Sequence, residues 1–232
     1  MNKYLIGGED MIEIQKTLEE IQIQYKSQYS KSTMYFVIKR IIDLLGAAVG
    51  LILLSPVLII TSIAVKLDSH GPIFFIQQRV GKNGRNFNMY KFRSMEIDAE
   101  EKLCELKDKN EMSGPMFKIK NDPRITKVGK FIRKTSIDEL PQLFNVIKGE
   151  MSLVGPRPNL PREVIKFTDY QKNKLLAKPG ITCYWQVMGR NNIDFERWIE
   201  LDIKYIKERN TWIDIKLILK TFKVFLGDEH AS

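Results

Sequence analysis

Between Leu44 and Val65 the chain runs for 22 residues, LLGAAVGLILLSPVLIITSIAV, without one charged side chain. At about 1.5 Å per residue, a helix of that length crosses a hydrocarbon core of about 30 Å. Such a stretch must be buried in lipid or in protein, and it starts too late for a signal peptide. Its middle holds Ser55-Pro56. Proline removes a backbone donor and collides with the turn before it, while a serine hydroxyl can bond a freed carbonyl, so the pair predicts a sharp break. The basic flanks argue against a plain span as well. Lys26, Lys31, Lys39 and Arg40 on one side match Lys66, Arg79, Lys82 and Arg85 on the other, so the positive-inside rule finds no asymmetry. Both ends are expected on the cytoplasmic face, as in a broken helix that enters the bilayer and returns, with Lys39 and Arg40 meeting anionic headgroups.

The residues beyond this segment must supply any soluble domain. The chain of 232 residues, 44% hydrophobic and 28% charged, can bury a core, which excludes disorder throughout. Residues 1 to 65 hold six basic and six acidic side chains, so the whole net charge of +9 lies beyond them. An excess placed there predicts an anionic partner: nucleic acid, phospholipid headgroups or a phosphorylated substrate. Cys104, Cys183, His70 and His230 show no metal-ligand spacing, which disfavours a zinc site or a disulfide-stapled secreted fold and suits a reducing compartment.

Periodicity divides the rest. Met11, Ile14, Leu18, Ile21 and Tyr25 recur at alternating spacings of three and four, predicting a short amphipathic helix that pairs with a second copy or packs on its own protein. GPIFFIQQRV and NFNMYKFRSM flank GKNG, two strands around a tight turn at Asn83-Gly84. Period two there puts Lys91 and Arg93 on one face. EIDAEEKLCELKDKNEM reads as a solvated helix with Asp98/Lys102 and Glu105/Lys109 at i,i+4 spacing. ITKVGKFIRK and ELPQLFNVIKG predict short helices, and DFERWIELDIKYIKERN a longer one capped by Asp194. In TWIDIKLILKTFKVFLG, Lys216, Lys220 and Lys223 mark one side of an apolar helix, which lies either at a membrane interface or on a core. The fold expected is α+β and monotopic: an extension at 1–35, a re-entrant helix at 36–66, and a small cytoplasmic domain at 67–232 with a β-hairpin and short amphipathic helices.

One short stretch, KTSIDELPQLFNVIKGEMSLVGPRP, sets Asp138 beside Glu139. Ser136 and Glu139 match a capping box, but a helix starting at Ser136 would place Pro141 at its fifth position, where the missing N–H costs a bond. A helix starting at Asp138 or Glu139 instead leaves Pro141 in the tolerated first turn and both acids beside unpaired N–H groups, a place for phosphate and metal. Adjacent carboxylates can divide labour, one attacking phosphorus while the other holds magnesium. Arginines must then clamp the remaining phosphate charge. Arg133 lies five residues before Asp138, and Arg157 is confined between prolines in GPRP.

The ordered set KR, SP, GPIFFIQQRVG, YKFRSM, FIRKTSIDELPQLFNVIKGEMSLVGPRP, KPGIT, WQVMGRN and ELDIKYI resembles the bacterial sugar transferases, the monotopic phosphoglycosyl transferase family, over about residues 36 to 226. The resemblance implies transfer of a sugar 1-phosphate from a UDP-sugar to undecaprenyl phosphate in the bacterial inner membrane, with release of UMP. Such a reaction starts a surface glycan: exopolysaccharide, capsule or O-antigen. Carried over by position, Asp138 is the implied nucleophile and Glu139 the implied Mg2+ ligand, with Arg133 and Arg157 on phosphate. Ser55 and Pro56 match the family's helix break, and Gly189, Arg190 and Asn191 fall where nucleotide or sugar is expected. Lys91 and Arg93 are grouped with the phosphate-binding side chains. The long segment between KFRSM and DELPQ looks like members that use glucose or galactose, while Cys183 stands where many members have glycine.

Two other classes suit parts of the pattern. A noncatalytic membrane-anchored protein binding nucleic acid or anionic lipid would explain the charge, but it needs no acidic dyad and would spread its cations and aromatics along a groove. No nucleic-acid partner is expected on that ground. A phosphohydrolase would use the same aspartyl phosphate with water as acceptor, and the long apolar segment favours a lipid acceptor.

Overall fold

The computed structural model describes residues 12, 14–21, 31–111, 115, 117, 119, 121–188 and 194–227, and of 107, 109 and 223–227 the backbone alone. Helix α1 (Thr33–Leu53) starts at Ser32, whose hydroxyl accepts from the Tyr35 N–H at 3.2 Å. One face carries Val37, Ile41, Leu45, Val49 and Ile52 into the open. The other approaches protein so closely that a Cβ on Gly46 would lie 2.6 Å from Leu153 Cδ1. The break comes where the sequence predicts it. Ser55 Oγ donates to the Ile52 carbonyl at 2.8 Å, Pro56 sits in the first turn of α2 (Ser55–Asp68), and the two helices meet at a bend of 62°. Among the described residues no single helix is long and apolar enough to cross a membrane; this bent pair is, by length and composition.

Strands β1 (Phe74–Val80) and β2 (Asn86–Phe92) form the expected antiparallel hairpin, Phe74 opposite Phe92 and Val80 opposite Asn86. Asn83 (φ 58°) and Gly84 (φ 73°) take the left-handed backbone that the turn requires. Beyond it, the segment read as one solvated helix is a run of turns followed by a 3-10 helix, Cys104–Lys109. The Asp98–Lys102 pair forms at 2.6 Å, while Ala99, Leu103 and Leu106 are buried. Anchoring three apolar side chains inward prevents the chain from running on as a straight surface helix.

Helices α3 (Lys127–Lys134) and α4 (Gln142–Lys148) lead into β3 (Ser152–Val154), which pairs in parallel with β4 (Gly180–Thr182). A Cβ on Gly180 would fall 2.0 Å from the Gly155 nitrogen, so this crossing requires glycine. Helix α5 (Phe195–Glu208), capped by Asp194 as expected, and α6 (Thr211–Gly227) complete the main core, where Ile199, Ile203 and Ile206 pack with Leu217 and Val154. Ile14, Leu18 and Ile21 join that core, so the helical stretch at 14–21 packs on its own protein; Met11 and Tyr25 lie outside the described residues. On α6, Asp214 and Leu217 face inward, whereas Trp212, Leu219 and Phe222 are exposed beside Lys216 and Lys220. The helix thus rests on the core along one stripe and shows a basic, aromatic face on the other; Lys223 lies beyond the described side chains.

Lys39 and Arg40 are not left for headgroups. Lys39 Nζ pairs with Asp214 at 3.0 Å and donates to the Val154 carbonyl at 2.9 Å. Tyr205 and Tyr35 donate to the same buried Asp214 at 2.6 and 3.0 Å. Arg40 donates to the carbonyls of Val146 and Ile147 at 2.7 and 2.9 Å, at the end of α4, where the helix dipole favours a cation. Both cations therefore fasten α1 to the domain.

Candidate active site

The acidic pair is positioned by an abrupt change of backbone. Helix α3, capped by Thr126, ends at Thr135, and Ser136 then turns left-handed at φ 54°. A 3-10 turn, Ile137–Glu139, follows, and Pro141 opens α4. Ser136 makes no capping bond, in line with the position of Pro141. The two acids ride on the 3-10 turn one step before the α-helix rather than in its first turn. A non-glycine residue in left-handed backbone is uncommon and costs of order 1 kcal/mol, so packing must hold Ser136 there.

Lys91 reaches the dyad from β2. Its Nζ lies 2.9 Å from Glu139 Oε1 and 3.8 Å from Asp138 Oδ2, while Arg157 Nη1 approaches the same Glu139 oxygen at 3.3 Å. Asp138 is almost fully buried. Burial raises its pKa above the ordinary carboxylate value and Glu139 adds to the rise; Lys91, Arg133 and Arg157 oppose it without cancelling it. Arg133 is exposed at the end of α3, close enough to act on Asp138 through its charge. Glu139, joined by two cations, is the acid with electrostatic support.

A cleft lined by Arg79, Met89, Lys91, Glu139, Gln142 and Arg157 opens beside the pair. In the sequence Arg79 is marked only as a basic flank of the apolar segment, and Gln142 carries no mark. Arg79 faces Phe87 across the hairpin as Lys91 faces Phe75, so the period-two pattern that found Lys91 carries Arg79 on the same face. Burial lowers the Arg79 guanidinium to about 10; Glu163 offsets part of the fall and Arg157 deepens it. It donates to Gln77 Oε1 at 2.6 Å and, at 3.3 Å, to the carbonyl of Pro158 in the Arg157 loop. The guanidinium of Arg157 lies 5.5 Å from the Trp185 ring centre, and Trp185 packs on Trp198 at 4.2 Å. Aromatic support limits the freedom of an arginine without consuming its donors.

Arg93 is held elsewhere. The strand ends at Phe92, and the Arg93 guanidinium donates to the carbonyls of Val65, Ser69 and His70, tying down the end of α2. At 5% exposure it is a helix-terminal clamp, because carbonyls there lack helical partners. Arg190 lies outside the described residues, as do Gly189 and Asn191. Cys183 is buried, donates to Gln186 Oε1 at 3.4 Å, and has its thiol pKa pushed well up by burial, which describes a packing residue rather than a nucleophile. Among the described residues no group of three or more His, Cys, Asp or Glu side chains is arranged to hold a metal. The two carboxylates alone still suit magnesium, which is held in phosphoryl-transfer sites through one or two carboxylates together with substrate phosphates.

Residues 34–228 match the family model for bacterial sugar transferases. The chain belongs to that family. Among its relatives is the galactosyl transferase CpsE of Streptococcus agalactiae serotype III, 51% identical over 205 residues, which are 88% of this chain and 45% of that protein. The undecaprenyl-phosphate galactose phosphotransferase of Salmonella typhimurium is 44% identical over 217 residues, 92% of this chain and 45% of the relative. The exopolysaccharide production protein ExoY of Rhizobium meliloti is 38% identical over 187 residues, 79% of this chain and 83% of ExoY. The chain thus spans under half of the first two bacterial sugar transferases and most of the third.

Proposed function

We propose that this sugar transferase moves a hexose 1-phosphate from a UDP-sugar to undecaprenyl phosphate, releasing UMP, and so initiates a surface polysaccharide at the cytoplasmic face of the bacterial inner membrane. One observation carries the reading: a buried carboxylate, Asp138, stands beside Glu139 within reach of Lys91 and Arg157, in a chain whose relatives are named for this transfer. Asp138 Oδ attacks the sugar-bearing phosphorus, the bond to the UMP oxygen breaks, and UMP departs with that electron pair. An oxygen of the lipid phosphate then attacks the aspartyl phosphate, and the Asp138 carboxylate is regenerated. Lys91, Arg79, Arg133 and Arg157 bind phosphate oxygens, and displacement of Lys91 and Arg157 from Glu139 toward substrate exposes that carboxylate. Glu139 with substrate phosphates would hold Mg2+, which supplies neutralisation of phosphate charge.

A covalent intermediate suits a donor that is soluble and an acceptor confined to the bilayer, because one small site serves each in turn. The bent α1–α2 pair, apolar outside and broken at Ser55-Pro56, supports a re-entrant seat in the membrane that places this site near the lipid phosphate. The names of two relatives favour galactose as the sugar. The test is to incubate the purified chain with Mg2+, undecaprenyl phosphate and UDP-galactose, UDP-glucose or UDP-N-acetylgalactosamine in turn, and to score UMP. Release beyond one equivalent with one donor, dependent on the lipid, is expected; silence across the panel would overturn the proposal.

A further inference from the structure

Two buried residues that do not line the cleft form an ion pair that the transfer chemistry does not use. Lys174 Nζ and Asp202 Oδ2 stand 2.8 Å apart, their side chains 5% and 1% exposed. Lys174 also donates to Asn159 Oδ1 at 2.5 Å. Asn159 in turn donates to Glu163 at 2.9 Å, and its carbonyl receives the Val80 N–H at 3.0 Å. The chain of contacts runs from α5 through Lys174 to Asn159, two residues past Arg157, and on to the end of β1. Neither Asp202 oxygen has a well-formed hydrogen bond. Burial accordingly raises the Asp202 pKa; Lys174 opposes the rise, as do the Arg157 N–H and the Arg157 charge.

A buried ion pair is weak evidence for stability, since desolvation consumes most of its attraction and an apolar pair of similar volume does as well or better. Its position gives it another use. Helix α5 holds the Arg157 loop twice from one face: Asp202 acts through Lys174 on the Asn159 side chain, and Trp198, four residues earlier, backs Trp185, on which the guanidinium rests. We infer that Lys174 and Asp202 are positioning residues, a buried strut that fixes the Pro156-Arg157-Pro158 loop so that the Arg157 guanidinium stays over the dyad. This rests on the proposed role of Arg157 at phosphate, and its geometric half can be tested without turnover.

Removing one partner alone would strand a buried charge, so the pair is changed together in the full chain. Lys174→Met with Asp202→Leu keeps the volume and cuts the strut; Lys174→Gln with Asp202→Asn keeps a hydrogen-bonding pair. In a Trp212→Phe background, fluorescence reports Trp185 and Trp198 alone. The Met/Leu pair is expected to shift that emission as Arg157→Ala does, the two changes together to shift it no further, and the Gln/Asn pair to leave it near the parent. With the donor that turns over best, the Met/Leu pair should lower kcat by about tenfold to a hundredfold with little change in KM, as misplacement of a transition-state contact does. The Gln/Asn pair should restore most of it. Where the Met/Leu pair does not fold, Asn159→Ala, which removes the grip of Lys174 on the loop together with the Asn159–Glu163 bond, takes its place in the same cycle, with Glu163→Gln alone as its control. Emission unchanged by cutting the strut, or a shift additive with that of Arg157→Ala, would overturn the inference. A parent inactive with every donor would overturn the transfer reading alone, because the fluorescence cycle still decides the strut.

Discussion

As the proposed nucleophile, Asp138 answers two conflicting demands, since it must be ionised to attack while its surroundings resist ionisation. Its folded pKa is raised by burial and by Glu139, so the folded protein holds that proton more tightly than the unfolded chain does. The stability this carboxyl contributes is present below its unfolded value, about 3.9, and is lost as pH rises through the folded value. Asp138→Asn should therefore abolish turnover while melting no lower than the parent at pH 7.5, with any excess in Tm fading toward pH 4. Thermal unfolding at both pH values checks the sign, and a variant less stable at pH 7.5 would show the carboxylate to be structural. The arginines separate in the same way. Arg157→Ala removes a charge-assisted contact and should lower kcat/KM more than tenfold, equivalent to about 1.5 to 3 kcal/mol. Arg133→Ala, from an exposed position near Asp138, should also lose more than tenfold, with lysine rescuing either poorly. Steady-state kinetics on folded variants decides; two variants that turn over like the parent would make both arginines structural.

At the scale of elements, what could be read from the sequence was what neighbours in the chain determine. Asn83-Gly84 specified the hairpin turn through its left-handed backbone, and Ser55-Pro56 the helix break and Asp194 the start of α5 through bonds made within a few residues. Lys39 shows the limit: its partner Asp214 is 175 residues away, and no local pattern distinguishes a lysine bound for a buried aspartate from one bound for a headgroup. Arg93 likewise follows the alternation of β2 on paper, but the strand stops at Phe92 and frees it to clamp α2. Lys39→Met should cost about 3 kcal/mol by stranding the Asp214 carboxylate, equally in anionic and zwitterionic nanodiscs. A loss seen only with anionic lipid would return Lys39 to the headgroups. For the bent pair itself, Lys31→Cys in a Cys104→Ser background should escape an impermeant thiol reagent in intact cells and react after lysis. Labelling from outside would show a true span.

At the scale of the whole molecule, three remote pieces meet at the site: the hairpin brings Lys91 and Arg79, the 3-10 turn brings the acids, and the loop after β3 brings Arg157. That the acids and Arg157 stand together was legible because proline and adjacent charge punctuate them locally; Arg133 stays exposed and off the cleft lining. Arg79 was passed over because a strand arginine carries no such mark until the register is known. The strut behind Arg157 depends on the meeting of α5 with Lys174 and Asn159, which only the packed fold displays. If these pieces form a ping-pong site, the first half of the reaction must run without the lipid. The direct measurement is to mix the purified chain with Mg2+ and the sugar-labelled form of whichever UDP-sugar supports turnover, omitting undecaprenyl phosphate, and to map the label by peptide. The account predicts UMP release of at most one equivalent, label on Asp138, and loss of that label when undecaprenyl phosphate is added. An active protein that keeps no label and releases UMP only with both substrates bound would contradict it.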